Sequence, residues 1–132
     1  MDVELACERF RQLLTQQQER LRRMERIAPP EEKKTVTIGL IDGDGIGPII
    51  LRQAERILRA LLADSIADGT IILRRIEGLT IANRLTCGQS VPDDVLRQIR
   101  ACDVLLKGPT ETPKGGTLES ANVTLRRELD LF

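Results

Sequence analysis

The chain has 132 residues, enough for one domain, and its 20 Lys and Arg balance its 20 Asp and Glu. With a formal net charge of zero, no global field favours nucleic acid or a membrane surface. The sequence contains no His, Tyr or Trp. This absence excludes a His-based triad, a His-ligated metal site and a tyrosine general acid.

The cysteines and the N-terminal charges indicate the compartment. Cys7, Cys87 and Cys102 are odd in number and widely spaced, which is typical of reduced thiols rather than of disulfides or a zinc site. Asp2 and Glu4 argue against a secretory signal, and the chain has no apolar run long enough to cross a membrane. We therefore expect a cytoplasmic protein that binds neither nucleic acid nor a membrane.

Residues 1–33 predict a helical N-terminal extension followed by a charged linker. Apolar residues recur at helical spacing from Val3 to Ala28, among Gln, Glu and Arg, and Pro29-Pro30 would end the helix. We expect the apolar face of this helix to pack on its own domain or on a partner subunit. A basic regulatory or docking arm is the alternative.

Residues 34–132 predict one domain of alternating strands and helices. Alternating β-branched and apolar residues predict strands over 35–41, 70–76 and 103–107. Helices are predicted from Ile46 to Leu62, from Leu79 to Leu85 with Gly88 as a stop, and after Pro92. The inner face predicted for the first of these helices is Ile46, Ile50, Ala54, Ile57, Leu58, Leu61 and Leu62. This order indicates an α/β fold with a largely parallel sheet.

A glycine-rich loop, Gly43-x-Gly45-x-Gly47, follows the first predicted strand. The dinucleotide fingerprint would require its third glycine at Pro48, and no Gly-Lys-Ser/Thr follows, so neither that fingerprint nor a Walker loop is present. A tight turn whose glycines adopt unusual backbone angles and a direct role beside a nucleotide or substrate both remain open.

The C-terminal stretch combines a second glycine-rich loop with the start of a helix. Gly115-Gly116 would let backbone amides approach a ligand, and Ser120 is a plausible N-cap where the helix carries partial positive charge. Asn122 and Arg126 are four residues apart and share a helix face, and Arg126 could grip a carboxylate with two hydrogen bonds. These groups predict a site for a small polyanion; a capped helix with solvated arginines, which suits Arg127, is the alternative.

Two segments together resemble the isocitrate/isopropylmalate dehydrogenase family. Residues 41–48 (IDGDGIGP) are similar to its N-terminal signature. Residues 106–109 (LKGP), 112–113 (TP), 115–116 (GG) and 120–126 (SANVTLR) resemble its substrate loop and helix, and residues 129–132 (LDLF) continue the same block. The resemblance covers residues 34–132 and excludes the N-terminal helix.

The resemblance implies a partial parallel-sheet α/β domain of that type. It also implies a β-decarboxylating dehydrogenase, dimeric in full-length form, which oxidises a 2-hydroxy acid with NAD or NADP and uses Mg²⁺ or Mn²⁺. The Ser-x-Asn-x-x-x-Arg pattern is similar to the isocitrate branch, so Ser120 and Asn122 would contact isocitrate. Arg126 would bind a carboxylate, and Thr112 would lie near the substrate and the nicotinamide ribose.

The resemblance also implies that the chain represents the N-terminal portion of such an enzyme. The family's catalytic tyrosine and lysine and its metal-binding aspartates lie further along, so no catalytic or metal-binding residue is expected here. Ile49 and Glu111 depart from the family pattern, which has an acidic residue and a threonine at these positions. An isopropylmalate, homoisocitrate or tartrate dehydrogenase is one alternative, and a non-catalytic truncated subunit or binding module is the other.

Overall fold

The computed structural model describes residues 3–23, 34–116 and 118–131, and the chain divides into two compact units, Met1–Glu32 and Lys33–Phe132. The first unit contains helix α1 (Val3–Arg23), whose described side chains are all exposed. The predicted N-terminal helix is confirmed as far as Arg23. Its continuation to Ala28 and the break at Pro29-Pro30 lie outside the described residues.

The second unit is an α/β domain built on three parallel strands. Its elements are, in chain order, β1 (Val36–Ile41), α2 (Gly47–Leu61), α3 (Ala63–Ala67), β2 (Ile71–Arg75), α4 (Ile81–Cys87), α5 (Asp93–Arg100), β3 (Val104–Lys107) and α6 (Ala121–Glu128). The strand order is β2-β1-β3, and Ile38 pairs in register with Leu73 on one side and Val104 on the other. The predicted fold class is confirmed, whereas the short helix α3 was not predicted.

Local signals in the sequence account for where the helices begin and end. The Thr80 hydroxyl accepts a hydrogen bond from the Asn83 backbone amide at the start of α4, and Gly88 ends that helix in the left-handed conformation with φ 67°. Helix α5 begins directly after Pro92, with Asp93 and Asp94 in its first turn, where the helix dipole favours negative charge. The stop predicted at Gly88 and the start predicted at Pro92 are therefore confirmed.

The hydrophobic core joins the end of β1 to helices α5 and α6. The buried residues of this cluster are Ile41, Ile76, Leu79, Val91, Val95, Ile99, Ala121 and Leu125. Because successive side chains of a strand point to opposite faces, buried Leu40 belongs to the other face of the sheet. Helix α6 is thus fixed by core packing through Ala121 and Leu125, next to the end of β1.

The buried face of α2 differs from the prediction. Leu51, which the apolar pattern did not single out, is the buried side chain of this helix, with Ala54 and Leu58 half-buried. Ile50 and Ile57 from the predicted inner face are exposed instead. A wide apolar stripe on a helix allows more than one inward orientation, and the packing of the sheet selected the edge that carries Leu51.

No helix among residues 3–23, 34–116 and 118–131 is both long and apolar enough to cross a membrane.

Candidate anion-binding site

The site lies where the loops after β1 and β3 leave the same edge of the sheet. Ile41 and Lys107 are register partners at the carboxyl ends of these adjacent parallel strands. The backbone amide of Gly108 donates to the carbonyl of Ile41 at 2.8 Å, which holds the two loops together from their first residues. Ligands of open α/β sheets bind outside the carboxyl ends of the strands, so this edge is the expected position for a site.

The glycines of both loops allow this close packing. A side chain at Gly43 would overlap the carbonyl oxygen of Pro109, and side chains at Gly47 and Gly108 would overlap that of Asp42. Gly43 also has a φ of +72°, which side chains rarely adopt. Gly43, Gly47 and Gly108 therefore have a packing role at a tight loop junction. Gly45 differs, because a side chain at this position would meet no neighbouring atom.

Asp44 ties three segments of the chain to one carboxylate. Its oxygens accept from the backbone amide of Ile81 at 2.7 Å and from that of Glu111 at 2.9 Å. Its own amide donates to the carbonyl of Pro109 at 2.7 Å. The glycine loop, the start of α4 and the loop after β3 are thereby held in one arrangement by charge-assisted hydrogen bonds.

Arg84 on α4 is fully buried beneath the loop after β3. Its guanidinium donates to the backbone carbonyls of Ser90 at 2.7 Å, Glu111 at 2.7 Å and Glu119 at 3.2 Å. The residues next to two of these carbonyls are Thr112 and Ser120. Both ends of the segment between Thr112 and Ser120 are thus held by a single guanidinium.

Lys107 places a second cation at the base of the same loop. Its ammonium donates to the carbonyl of Gly108 at 2.7 Å and to the hydroxyl of Thr110 at 3.3 Å. Burial lowers the pKa of Lys107, and the nearby charge of Arg84 lowers it further, while Asp44 opposes the shift. Two positive side chains therefore lie close together under the loop.

Helix α6 presents three of the four predicted site residues. Ser120 is half-buried at the N-cap position, as predicted, but its side chain makes no capping hydrogen bond. Asn122 and Arg126 are exposed, and within the described part of the chain neither side chain makes a hydrogen bond. Among residues 3–23, 34–116 and 118–131, no partner therefore occupies the polar groups of these three side chains.

The neighbouring Arg127 is already engaged. It forms an ion pair with Glu119 at 3.0 Å, and the carboxylate of Glu119 also accepts from the hydroxyl of Thr124 at 2.7 Å. The hydrogen bond from Thr124, followed by that from Arg127, lowers the pKa of Glu119. Arg127 is therefore held beside the helix start rather than simply solvated.

Thr112, the fourth predicted site residue, is exposed on the loop after β3. The carbonyls of Glu111 and Glu119, which precede Thr112 and Ser120 in the chain, both bind the guanidinium of Arg84. An open cleft of about 270 Å³ lies between the two loops and is lined by Asp44, Gly45, Ile46, Pro109, Thr110 and Glu111. None of the four predicted residues lines that cleft, and Thr112 directly follows the lining residue Glu111.

The donor set of the described residues does not fit a metal ion. No group of three or more Cys, Asp or Glu side chains converges in residues 3–23, 34–116 and 118–131. At the loop junction, the two carboxylate oxygens of Asp44 accept from backbone amides, and the carboxylate of Asp42 pairs with Arg75. The arrangement is suited to binding an anion through Arg126, Asn122 and the start of α6.

A family profile described as isocitrate/isopropylmalate dehydrogenase matches residues 37–132. The chain belongs to the isocitrate/isopropylmalate dehydrogenase family. The match spans both loops and α6, so the resemblance inferred from residues 41–48 and 106–131 is confirmed.

Curated relatives agree with this family membership. The chain is similar to the NADP isocitrate dehydrogenase of Caldococcus noboribetus, with 39% identity over 99 residues, 72% of this chain and 22% of the relative. It is 36% identical over 121 residues to the NADP isocitrate dehydrogenase of Archaeoglobus fulgidus, 82% of this chain and 29% of the relative. It is also 38% identical over 95 residues to mitochondrial regulatory subunit 1 of the NAD isocitrate dehydrogenase of Arabidopsis thaliana, 72% of this chain and 23% of the relative.

The chain spans less than a third of the length of each of these relatives. Their names include both NAD and NADP isocitrate dehydrogenases, which supports a nicotinamide nucleotide cofactor at the level of the family.

Sequence reasoning missed two residues that organise the site in this family member. Asp44 lies within the glycine loop, where the glycine spacing is the dominant pattern, although a carboxylate next to glycines often accepts backbone amides in turns. Arg84 gave no signal, because an arginine on a short helix is normally exposed. Its role depends on carbonyls 6, 27 and 35 residues away in the chain.

Proposed function

We propose that this chain is the substrate-positioning part of an isocitrate dehydrogenase, which converts isocitrate to 2-oxoglutarate with NAD or NADP. The observation that carries the proposal is the row Ser120, Asn122 and Arg126. These three side chains lie at the start of α6, in a segment that matches the family profile. Within the described residues they make no hydrogen bond. A hydroxyl, an amide and a guanidinium together suit a ligand with several carboxylates.

The roles of the residues follow from their chemistry. Arg126 binds one substrate carboxylate through paired hydrogen bonds, while Asn122 and Ser120 orient the remaining polar groups. Thr112 lies towards the nicotinamide ribose. Arg84 and Lys107 add positive charge beneath the loop, which favours an anionic ligand.

This segment contributes orientation and charge complementarity rather than acid–base chemistry. Mg²⁺ or Mn²⁺ belongs to the same proposal, with its ligands outside this chain, and no group of three or more Cys, Asp or Glu side chains converges among the described residues. A homodimeric state in the full-length protein is part of the same proposal. Other 2-hydroxy acids of the family, namely isopropylmalate, homoisocitrate and tartrate, are the alternative substrates.

A non-catalytic subunit is the second candidate function. Three of the relatives, all from Arabidopsis thaliana, are named regulatory subunits, with 33–38% identity to this chain. Glu111 adds a negative charge at a position where the family pattern has a threonine. Such a subunit would bind isocitrate without turning it over.

The test is a kinetic comparison of four acids in the native protein: isocitrate, isopropylmalate, homoisocitrate and tartrate, with Mn²⁺ and NAD or NADP. We expect isocitrate to be turned over with the highest kcat/KM. Isocitrate binding without turnover would favour the regulatory subunit, and preference for another acid would assign the protein to another branch of the family.

The variant Arg126→Ala tests the site itself, with Arg127→Ala as its matched control. Removing a charge-assisted contact of about 1.5–3 kcal/mol should weaken isocitrate binding roughly 10- to 100-fold. Arg127 pairs with Glu119, so its loss should change isocitrate binding by less than about threefold. Equal effects of the two substitutions would refute the assignment of Arg126.

A further inference from the structure

Arg84 combines complete burial with hydrogen bonds to neutral groups. Its relative exposure is 0%, and its partners in the described residues are three backbone carbonyls. A buried charge is costly unless its hydrogen bonds are satisfied, and an arginine needs more partners than a neutral side chain would. The fold therefore maintains a buried cation at this point without a bonded carboxylate among the described residues.

The three carbonyls bound by Arg84 lie in the loop before α5 and at the two ends of one exposed segment. Ser90 precedes α5, whereas Glu111 and Glu119 bracket the segment that carries Lys114, Gly115 and Gly116. Gly115 and Gly116 are exposed and have positive φ values of 93° and 71°. Lys114, Gly115 and Gly116 are thus free of core packing.

The other anchors hold one end each. The amide of Glu111 donates to Asp44 at 2.9 Å, and the carboxylate of Glu119 binds Thr124 and Arg127. Arg84 is the described side chain that bonds to both ends, so it links them directly. Its planar guanidinium directs donors along fixed lines, which a flexible ammonium cannot do.

We propose that Arg84 is a positioning residue: by bonding both ends of the loop after β3, it fixes Thr112 relative to Ser120 and the start of α6. Substrate recognition then depends on a side chain that does not touch the substrate. This inference rests on the proposed function, because it assigns Arg84 a role at the same site.

The test uses Arg84→Gln and Arg84→Lys in the native protein, with Arg97→Gln on the exposed face of α5 as the control. A displacement of about 1 Å in a binding loop can cost up to 100-fold. We expect Arg84→Gln to raise the KM for isocitrate by about tenfold or more, with kcat changed less than about threefold. Arg97→Gln should leave both constants unchanged.

The lysine variant separates position from charge. Arg84→Lys keeps a buried cation but loses the planar guanidinium. We therefore expect its KM for isocitrate to be raised over wild type by most of the increase seen in Arg84→Gln. Recovery of the wild-type KM by lysine would show that charge alone matters and would overturn the positioning role. If Arg84→Gln does not fold, the lysine variant decides the question by the same measurements.

A second measurement does not depend on enzyme activity. Trypsin cleaves after Lys114 in the exposed loop, and cleavage after Lys34 serves as the internal reference. We expect faster cleavage at Lys114 in both Arg84 variants and unchanged cleavage in Arg97→Gln. Unchanged cleavage together with an unchanged KM would overturn the inference and leave the proposed function intact. A wild-type protein without isocitrate turnover or binding would instead refute the proposed function, while faster cleavage would still support the anchoring.

Discussion

At the scale of single residues, the two glycine-rich loops owe their composition to close contact with one another. Gly43 and Gly45 both have positive φ values, 72° and 59°. They differ in their surroundings, because only Gly43 faces the carbonyl of Pro109. Substituting each glycine in turn therefore distinguishes the energetic cost of a left-handed backbone conformation from the additional cost of a steric clash.

Gly43→Ala and Gly45→Ala therefore have different expected effects on stability. Gly45→Ala should cost about 1–2 kcal/mol, since the left-handed conformation is its only penalty. Gly43→Ala should cost at least about 3 kcal/mol, because the loops must also separate. Urea unfolding of the two variants against wild type measures the difference. Equal losses of stability in the two variants would mean that the backbone at Pro109 can move to accommodate a side chain at position 43.

At the scale of single elements, α1 carries an apolar stripe among charged side chains. Phe10, Leu14 and Leu21 lie within about 40° of one another around the helix at 100° per residue, and Leu5 lies on the opposite side. All four side chains are exposed within their own unit. An apolar stripe of this kind is the face by which helices pack, so packing on the protein's own domain or on a partner subunit stays our prediction.

Leu14→Asp and Leu5→Asp form a matched test of this prediction, because these leucines are 48% and 51% exposed. We expect Leu14→Asp to destabilise the native protein by about 2 kcal/mol through loss of apolar burial. Leu5→Asp should have little effect. Thermal unfolding and sedimentation of both variants check this, and identical behaviour would argue against packing through the stripe.

At the scale of the whole domain, Arg75 links the sheet to α2 and to the glycine loop. It forms ion pairs with Glu55 and with Asp42, and Glu55 also binds Arg59 at 2.7 Å. The hydrogen bond from Arg59, opposed by desolvation and aided by the charge of Arg75, lowers the pKa of Glu55 below 4.5. The network ties three segments of the α/β unit together.

The stability contributed by Glu55 should depend on pH. Its folded-state pKa is depressed, so the contribution is present above the ordinary pKa of a glutamate and is lost as the pH falls through the lower folded value. Glu55→Gln should lower the free energy of unfolding by about 1 kcal/mol at pH 7. Under acidic conditions the free energies of unfolding of the variant and the wild type should become equal. Chemical denaturation at pH 7 and pH 3 tests this. Glu77→Gln is the control, since Glu77 is exposed and makes no hydrogen bond within the described residues.

The sequence by itself determined the α/β class, the parallel strands, most helix boundaries and the family. These features arise from local causes: β-branched runs form strands, Pro92 and Gly88 mark helix ends, and the segment around Ser120 carries the family pattern. The roles of Ser120, Asn122, Arg126 and Thr112 remain predictions.

Only the tertiary structure decided which side of α2 is buried, why the loops need glycine, and that Arg84 holds the loop of the site. Leu51 is buried rather than Ile50 because the sheet selects one edge of a broad apolar stripe. Arg84 bonds to carbonyls up to 35 residues away. Backbone carbonyls occur at every position and leave no mark in a sequence, so contacts with them emerge only once the chain has folded.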